Sequence, residues 1–145
     1  MGIYLNPGND LFSEAINSDI YVDKSMLIEL TNKSLRTTGK HICISRPRRF
    51  GKSLAANMLA AYYSRGCDSA ELFKNLAVSK TYDFERHLNK YNVIRLDIRS
   101  YISSNEDPMK IRENVTEDLL YEISEEYPDV KMPPRITLEK ALATV

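Results

Sequence analysis

The sequence predicts an α/β fold built on a parallel sheet, and three observations carry that prediction. A short apolar run, Ile42-Cys43-Ile44, leads directly into a loop and then into a stretch of helix formers from Lys52 to Tyr63. A second apolar run, Val93-Ile94-Arg95-Leu96-Asp97-Ile98, again precedes helical sequence. Strands separated by helical crossover material pair in parallel. Two strands are too few for such a sheet, and Val145 falls amid apolar residues. The expectation is therefore an incomplete domain.

Taken in order, Asn9 or Asp10 can cap a short helix through Leu11, Phe12, Ala15 and Ile16. Ile20-Tyr21-Val22 reads as extended. Ser25 can cap a second helix, with Met26, Leu27, Leu30 and Leu35 at helical spacing. Thr37-Thr38-Gly39-Lys40 is a loop. Ile42-Cys43-Ile44, apolar and partly β-branched, suits a fully buried strand. After the helix that follows Lys52, Gly66 is a stop.

Ser69 to Leu76 and Tyr82 to Leu88 read as two short helices, and Val93 to Ile98 as the second strand. Asp107-Pro108 is a good N-cap and first helical residue. Behind it Ile111, Val115, Leu119 and Ile123 recur every four residues, which makes one apolar stripe on a helix ending near Tyr127-Pro128. Met132-Pro133-Pro134 is a rigid linker. Thr137 caps a last helix carrying Leu138, Ala141 and Leu142. The division expected is a helical and extended lead-in over 1–40 and an incomplete domain over 41–145.

Composition narrows the class. The chain has 145 residues, 43% of them apolar and 28% charged, which is ordinary for one globular domain. No apolar stretch approaches a membrane span, and the first ten residues lack the basic flank and apolar run of a signal peptide. A cytoplasmic protein is expected. Cys43 and Cys67, with His41 and His87, have no zinc spacing, and Cys43 reads as a buried, reduced thiol. Basic and acidic residues balance at 20 each, against a whole-surface nucleic-acid binder. The balance is not local: Arg46, Arg48 and Arg49 crowd one turn, and Glu122 to Asp129 is acidic. The acidic run reads as a solvated helix end.

The informative segment is Arg46-Pro47-Arg48-Arg49-Phe50-Gly51-Lys52-Ser53. It matches the phosphate-binding loop G-x-x-x-x-G-K-[ST] except that Arg46 replaces the first glycine. In such a loop backbone amides cradle phosphate oxygens, the helix start adds positive dipole, lysine neutralises the outer phosphates and the hydroxyl binds magnesium. Pro47 has no amide hydrogen, so the cradle falls to the amides of Arg49 through Ser53. Arg48, Arg49, Phe50, Gly51, Lys52, Ser53 and Leu54 are the candidate ligand-binding residues, with Ser53 for magnesium and ATP as the nucleotide. The plainer reading is that Gly51-Lys52-Ser53 only starts a helix. It leaves three arginines in one tight turn with no anion to offset their repulsion.

Asp97 has two readings. It could hold magnesium through water from the end of its strand, as a Walker B carboxylate does. It could also simply cap the following turn. Arg95 interrupts the apolar run and no glutamate follows Asp97, so the capping reading is favoured. Tyr62, Tyr63 and Tyr101 read as core or surface aromatics.

Tyr21-Val22-Asp23-Lys24-Ser25 and Ser45 through Ser53 together resemble the N-terminal part of the predicted AAA-ATPase family. The likeness runs over nearly all of the chain, including Leu72-Phe73-Lys74 and the run ending at Asp97. Arg46 in place of glycine is usual in that group. The resemblance implies a partial P-loop three-layer sandwich, truncated before the Walker B strand, with ATP bound at Lys52 and Ser53. It implies that the magnesium-binding Asp-Glu strand, the arginine finger and any PD-(D/E)XK nuclease-like domain lie outside this sequence. The chain alone is then expected to bind ATP and magnesium weakly without turnover. The alternative is a degenerate loop in which Arg46, Arg48 and Arg49 grip nucleic-acid phosphates, with affinity falling steeply with salt.

Overall fold

The computed structural model describes residues 2–104 and 107–145. About half of the chain is helical and about 3% is extended pairing, with no sheet among the described residues. This overturns the expected α/β sandwich. The helices are α1 (Asp10–Ile16), α2 (Met26–Ser34), α3 (Lys52–Tyr63), α4 (Ala70–Phe73), α5 (Phe84–His87), α6 (Ile98–Ser104), α7 (Pro108–Glu126) and α8 (Leu138–Thr144). A 3-10 helix, Ala77–Lys80, lies between α4 and α5.

Both predicted strands are corrected. Residues 41–47 form no regular structure, and Ile42, Cys43 and Ile44 are all exposed, so the Cys43 thiol is not the buried one expected. A short β-branched run becomes a strand only where a neighbouring edge satisfies its amides and carbonyls, and no such edge lies alongside it among the described residues. The segment after Tyr91 is extended but pairs only at single points. Ile94 bridges Leu5 antiparallel, and Tyr91 bridges Ser64 in parallel. Asn6 N–H donates to Val93 O at 2.8 Å, and Arg95 N–H to Tyr4 O at 2.9 Å. Ile98, read as the strand's end, opens α6 instead.

The main core gathers the first half of the chain around the C-terminal half of α3. Phe12 from α1, Ile28 from α2, Met58, Ala61 and Tyr62 from α3, Phe73 from α4, Val78 and Phe84 form one buried cluster. Phe12 stacks on Phe73 at 5.0 Å between centroids, and Tyr62 meets Phe73 edge-on at 5.6 Å. Each fully buried aromatic ring contributes about 1.5–3 kcal/mol through burial. The Tyr62 hydroxyl donates to Phe84 O at 2.7 Å, so its polar end is satisfied inside the core.

Helix α2 buries only part of the face expected: Leu27 packs partly buried against the core. Ile28, Thr31 and Asn32 point inward, while Met26 and Leu30 are exposed. Two tyrosines account for this. Tyr63 donates to Asn32 Oδ1 at 2.6 Å and shares a 2.7 Å bond with Thr31, and Asn32 Nδ2 donates to the Tyr62 hydroxyl at 3.2 Å. Polar residues of α2 are buried because α3 brings hydroxyls to meet them. Burial pushes the Tyr63 hydroxyl up to about 12.

The two short helices expected over Ser69 to Leu76 and Tyr82 to Leu88 are present as α4 and α5, each shorter than its span, with the 3-10 helix between them. The long helix is as expected. The Asp107 carboxylate accepts from Met109 N–H at 2.9 Å, Pro108 opens α7, and the helix stops at Tyr127 before Pro128. Leu119 and Ile123 from its stripe are buried, Ile123 in a smaller cluster with Leu5 and Ala141 of α8. Glu122 is not a solvated end: its carboxylate accepts from the N–H groups of Ile3 (2.8 Å), Tyr4 (2.9 Å) and Leu5 (2.6 Å). It docks the chain's beginning onto α7.

Candidate functional site

The loop before α3 is shaped by two left-handed residues. Arg49 has φ 66° and Gly51 φ 76°, and only glycine adopts that region without cost. Gly51 then opens α3, whose first amides have no partner within the helix. Lys52 folds back over the loop: its Nζ donates to the carbonyls of Arg46 at 2.6 Å and Pro47 at 2.8 Å. The loop thus curls around the helix start and is tied to it by the lysine side chain.

A cleft of about 890 Å³ opens at this point. Arg48, Arg49, Gly51, Lys52, Ser53 and Leu54 line one wall, six of the seven residues taken from the motif. Phe50 does not line it; its ring is 60% exposed, and its carbonyl accepts from Lys24 Nζ at 3.2 Å. Arg95, Leu96, Asp97 and Arg99 form the facing wall. The structure therefore brings Asp97 to the loop, although its strand is absent.

The electrostatics are one-sided. Five cationic side chains and one carboxylate line the cleft. Among the described residues, Arg48, Arg49 and Lys52 make no ion pair. The single carboxylate, Asp97, is held by Arg99 through a two-pronged contact, Nε to Oδ1 at 2.9 Å and Nη2 to Oδ2 at 2.5 Å. It also accepts from the Arg99 N–H at 3.1 Å, the turn-capping role favoured from sequence. The Arg99 side-chain bonds, then its backbone bond, hold the Asp97 carboxyl down at about 2.

Three residues escaped the sequence reading: Lys24, Arg95 and Arg99. Lys24 is supported by the Asp23 carboxylate, which accepts from Ser25 N–H at 2.7 Å and Ala77 N–H at 2.8 Å, while Ser25 Oγ accepts from Val78 N–H at 3.1 Å. These bonds fix the turn from which Lys24 reaches the loop. The Asp-Lys-Ser string was visible in the sequence, but its connection to the loop spans 26 residues and has no local signal.

The residues fit a polyphosphate better than a resident metal. No group of three or more His, Cys, Asp or Glu capable of holding a metal occurs among the described residues. Magnesium bound through phosphate oxygens needs only one or two protein ligands, which Ser53 and Asp97 can supply. Arg95 also lines the cleft, and its buried Nε has no hydrogen-bond partner. Among the described residues no helix is long and apolar enough to cross a membrane.

No curated protein and no solved structure gave a significant match to the chain. A family model described as Predicted AAA-ATPase matches residues 8–144, and the chain belongs to that family.

Proposed function

We propose that the chain binds a magnesium–nucleoside triphosphate, ATP, in the cleft between the α3 start and the Arg95–Arg99 wall. The observation that carries this is the convergence of Lys52, Ser53 and two arginines on one turn with no carboxylate of their own. Like charges held this close are stable only with an anion among them or with full hydration. A helix N-terminus directed at the same place adds the second attraction for phosphate.

The protein's part follows from the side chains. Amides of Arg49 through Ser53 donate to phosphate oxygens. Lys52, now bonded to two neutral carbonyls, gains a charged acceptor, and charge-assisted bonds are roughly twice as strong as neutral ones. Ser53 would hold magnesium, which when bound would offset part of the phosphate charge. Arg48 and Arg49 stand at the mouth, exposed, where they draw an anion in.

Calorimetric titration of Mg-ATP into the wild type and Lys52→Ala tests the reading. The expected result is a loss of affinity beyond about hundredfold, or ~2.7 kcal/mol, with unchanged unfolding. Equal affinity in the variant refutes it. Arg46 lies outside the cleft lining, so Arg46→Gly should change ATP affinity less than threefold. The nucleic-acid alternative gives the opposite pattern: single-stranded DNA binding lost in Arg46→Gly, steeply weakened by salt, and not displaced by ATP.

A further inference from the structure

The wall facing the loop carries two arginines that the phosphate-loop motif does not account for. Arg95 is fixed from behind, its N–H bonded to Tyr4 O at 2.9 Å in the extended segment that Leu5 and Ile94 bridge. Arg95 lines two cavities. It lines the main cleft with Lys52 and Ser53, and also a smaller one of about 220 Å³ with Asn57 and Asp10. Nε of Arg95 is buried without a partner. Four residues on, Arg99 is 78% exposed at its side chain and spends its fork on Asp97.

Asp97 is the only anion among eleven lining residues, and it sits against two of the five cations. A carboxylate and a terminal phosphate present similar oxygen pairs to a guanidinium fork, and the phosphate carries more charge. The Asp97–Arg99 pair is solvent-exposed, so little holds it against a better acceptor.

We propose that Arg95 and Arg99 form a second phosphate-binding wall, on which the terminal phosphate of a nucleoside triphosphate replaces Asp97 as the partner of Arg99. The proposal rests on the reading of the cleft as a nucleotide site and adds the basis of its selectivity. The loop of α3 grips phosphates common to di- and triphosphates, and the facing wall reads the third. Asp97 holds Arg99 in place until that phosphate arrives. Freed from Arg99, it faces the same space as Ser53.

The test is a set of calorimetric affinities for ATP and ADP, with and without magnesium, in the wild type and four variants. Lys52→Ala should lose both nucleotides. Arg99→Gln should weaken ATP about tenfold and ADP less than threefold, collapsing the preference of the wild type; Arg95→Gln should do the same if it folds, and Arg99→Gln stands alone if it does not. Asp97→Asn should strengthen magnesium-free ATP by threefold or more, because the competing carboxylate is gone. If Arg99→Gln leaves the ATP-to-ADP ratio unchanged while Lys52→Ala abolishes binding, the second wall is wrong and the nucleotide site stands. If Asp97→Asn weakens ATP without magnesium, the displacement is wrong. If the wild type binds neither nucleotide, both readings fall together.

Discussion

The two ends of α3 do different work. At the N-terminal end Lys52 and Ser53 are exposed, and the hydrogen bonds of the Lys52 side chain go to loop carbonyls. At the C-terminal end Met58, Ala61 and Tyr62 are almost fully buried in an aromatic cluster drawn from five other elements. One end anchors the helix and leaves the other free to present amides and charge. Such a division lets a polar, self-repelling loop exist without its own core, because the cost is carried at the far end of the same rigid rod.

The largest effect should come from the anchored end. Phe73→Ala removes a ring stacked on Phe12 and should cost about 3–5 kcal/mol in urea unfolding. Nucleotide affinity per folded molecule should hardly change. A cost under about 1 kcal/mol would mean that the cluster is not the anchor. Glu122→Ala comes next, at about 1.5–3 kcal/mol, since three N–H groups lose a charged acceptor. Glu122 is not in the cleft lining, but the segment it docks holds Arg95 through Tyr4 O, so any loss of nucleotide affinity should be smaller than that of Arg95→Gln.

How much of this was legible beforehand divides along the same line. The loop, the α3 start and the Asp107–Pro108 cap were readable because each depends on neighbours in sequence: a left-handed glycine, a carboxylate two residues before the amide it accepts from. The sheet was misread because a strand is defined by its partner. Ile42-Cys43-Ile44 has strand-forming residues and no pairing partner among the described residues, whereas Val93 to Arg95 finds residues 4–6, almost ninety positions away. Part of the inward face of α2 was misread because Asn32 is buried by a tyrosine hydroxyl 30 residues on. Neither reading of Asp97, metal ligand or turn cap, points to Arg99, because the fork that grips the carboxylate is a side-chain contact with no pattern in the sequence.

Smaller effects sharpen the contrast at the loop. Gly51→Ala forces a side chain into φ 76°, and should cost roughly 1–2 kcal/mol. Its Cβ would stand 3.1 Å from Lys24 Nζ, a flexible end that can give way. Here both ends of the comparison should respond: affinity falls because the amide cradle moves, and stability falls by the strain. A variant that loses stability but keeps full ATP affinity would show that the loop's curl is not what seats the phosphate.

The smallest effect is a pH dependence. Burial alone would raise the Asp23 carboxyl, but hydrogen bonds from Ala77 and Ser25 outweigh it and hold the group below its ordinary value. Its stabilisation is therefore complete above the ordinary carboxylate range and is lost as pH falls through the lower folded value. Asp23→Asn should flatten the acid limb of the stability–pH curve. Lys24's reach to the Phe50 carbonyl should loosen with it, weakening ATP by a factor of two or three.

The central claim is that nucleotide sits on the loop and the first turn of α3 while the buried half of the helix is unaffected. Amide hydrogen exchange with and without Mg-ATP measures this directly. The account predicts slowed exchange at Arg49 through Leu54, and at Arg99 on the facing wall, with no change from Met58 to Tyr62. Protection absent from Arg49 through Leu54, at ATP concentrations that saturate calorimetric binding, would contradict it.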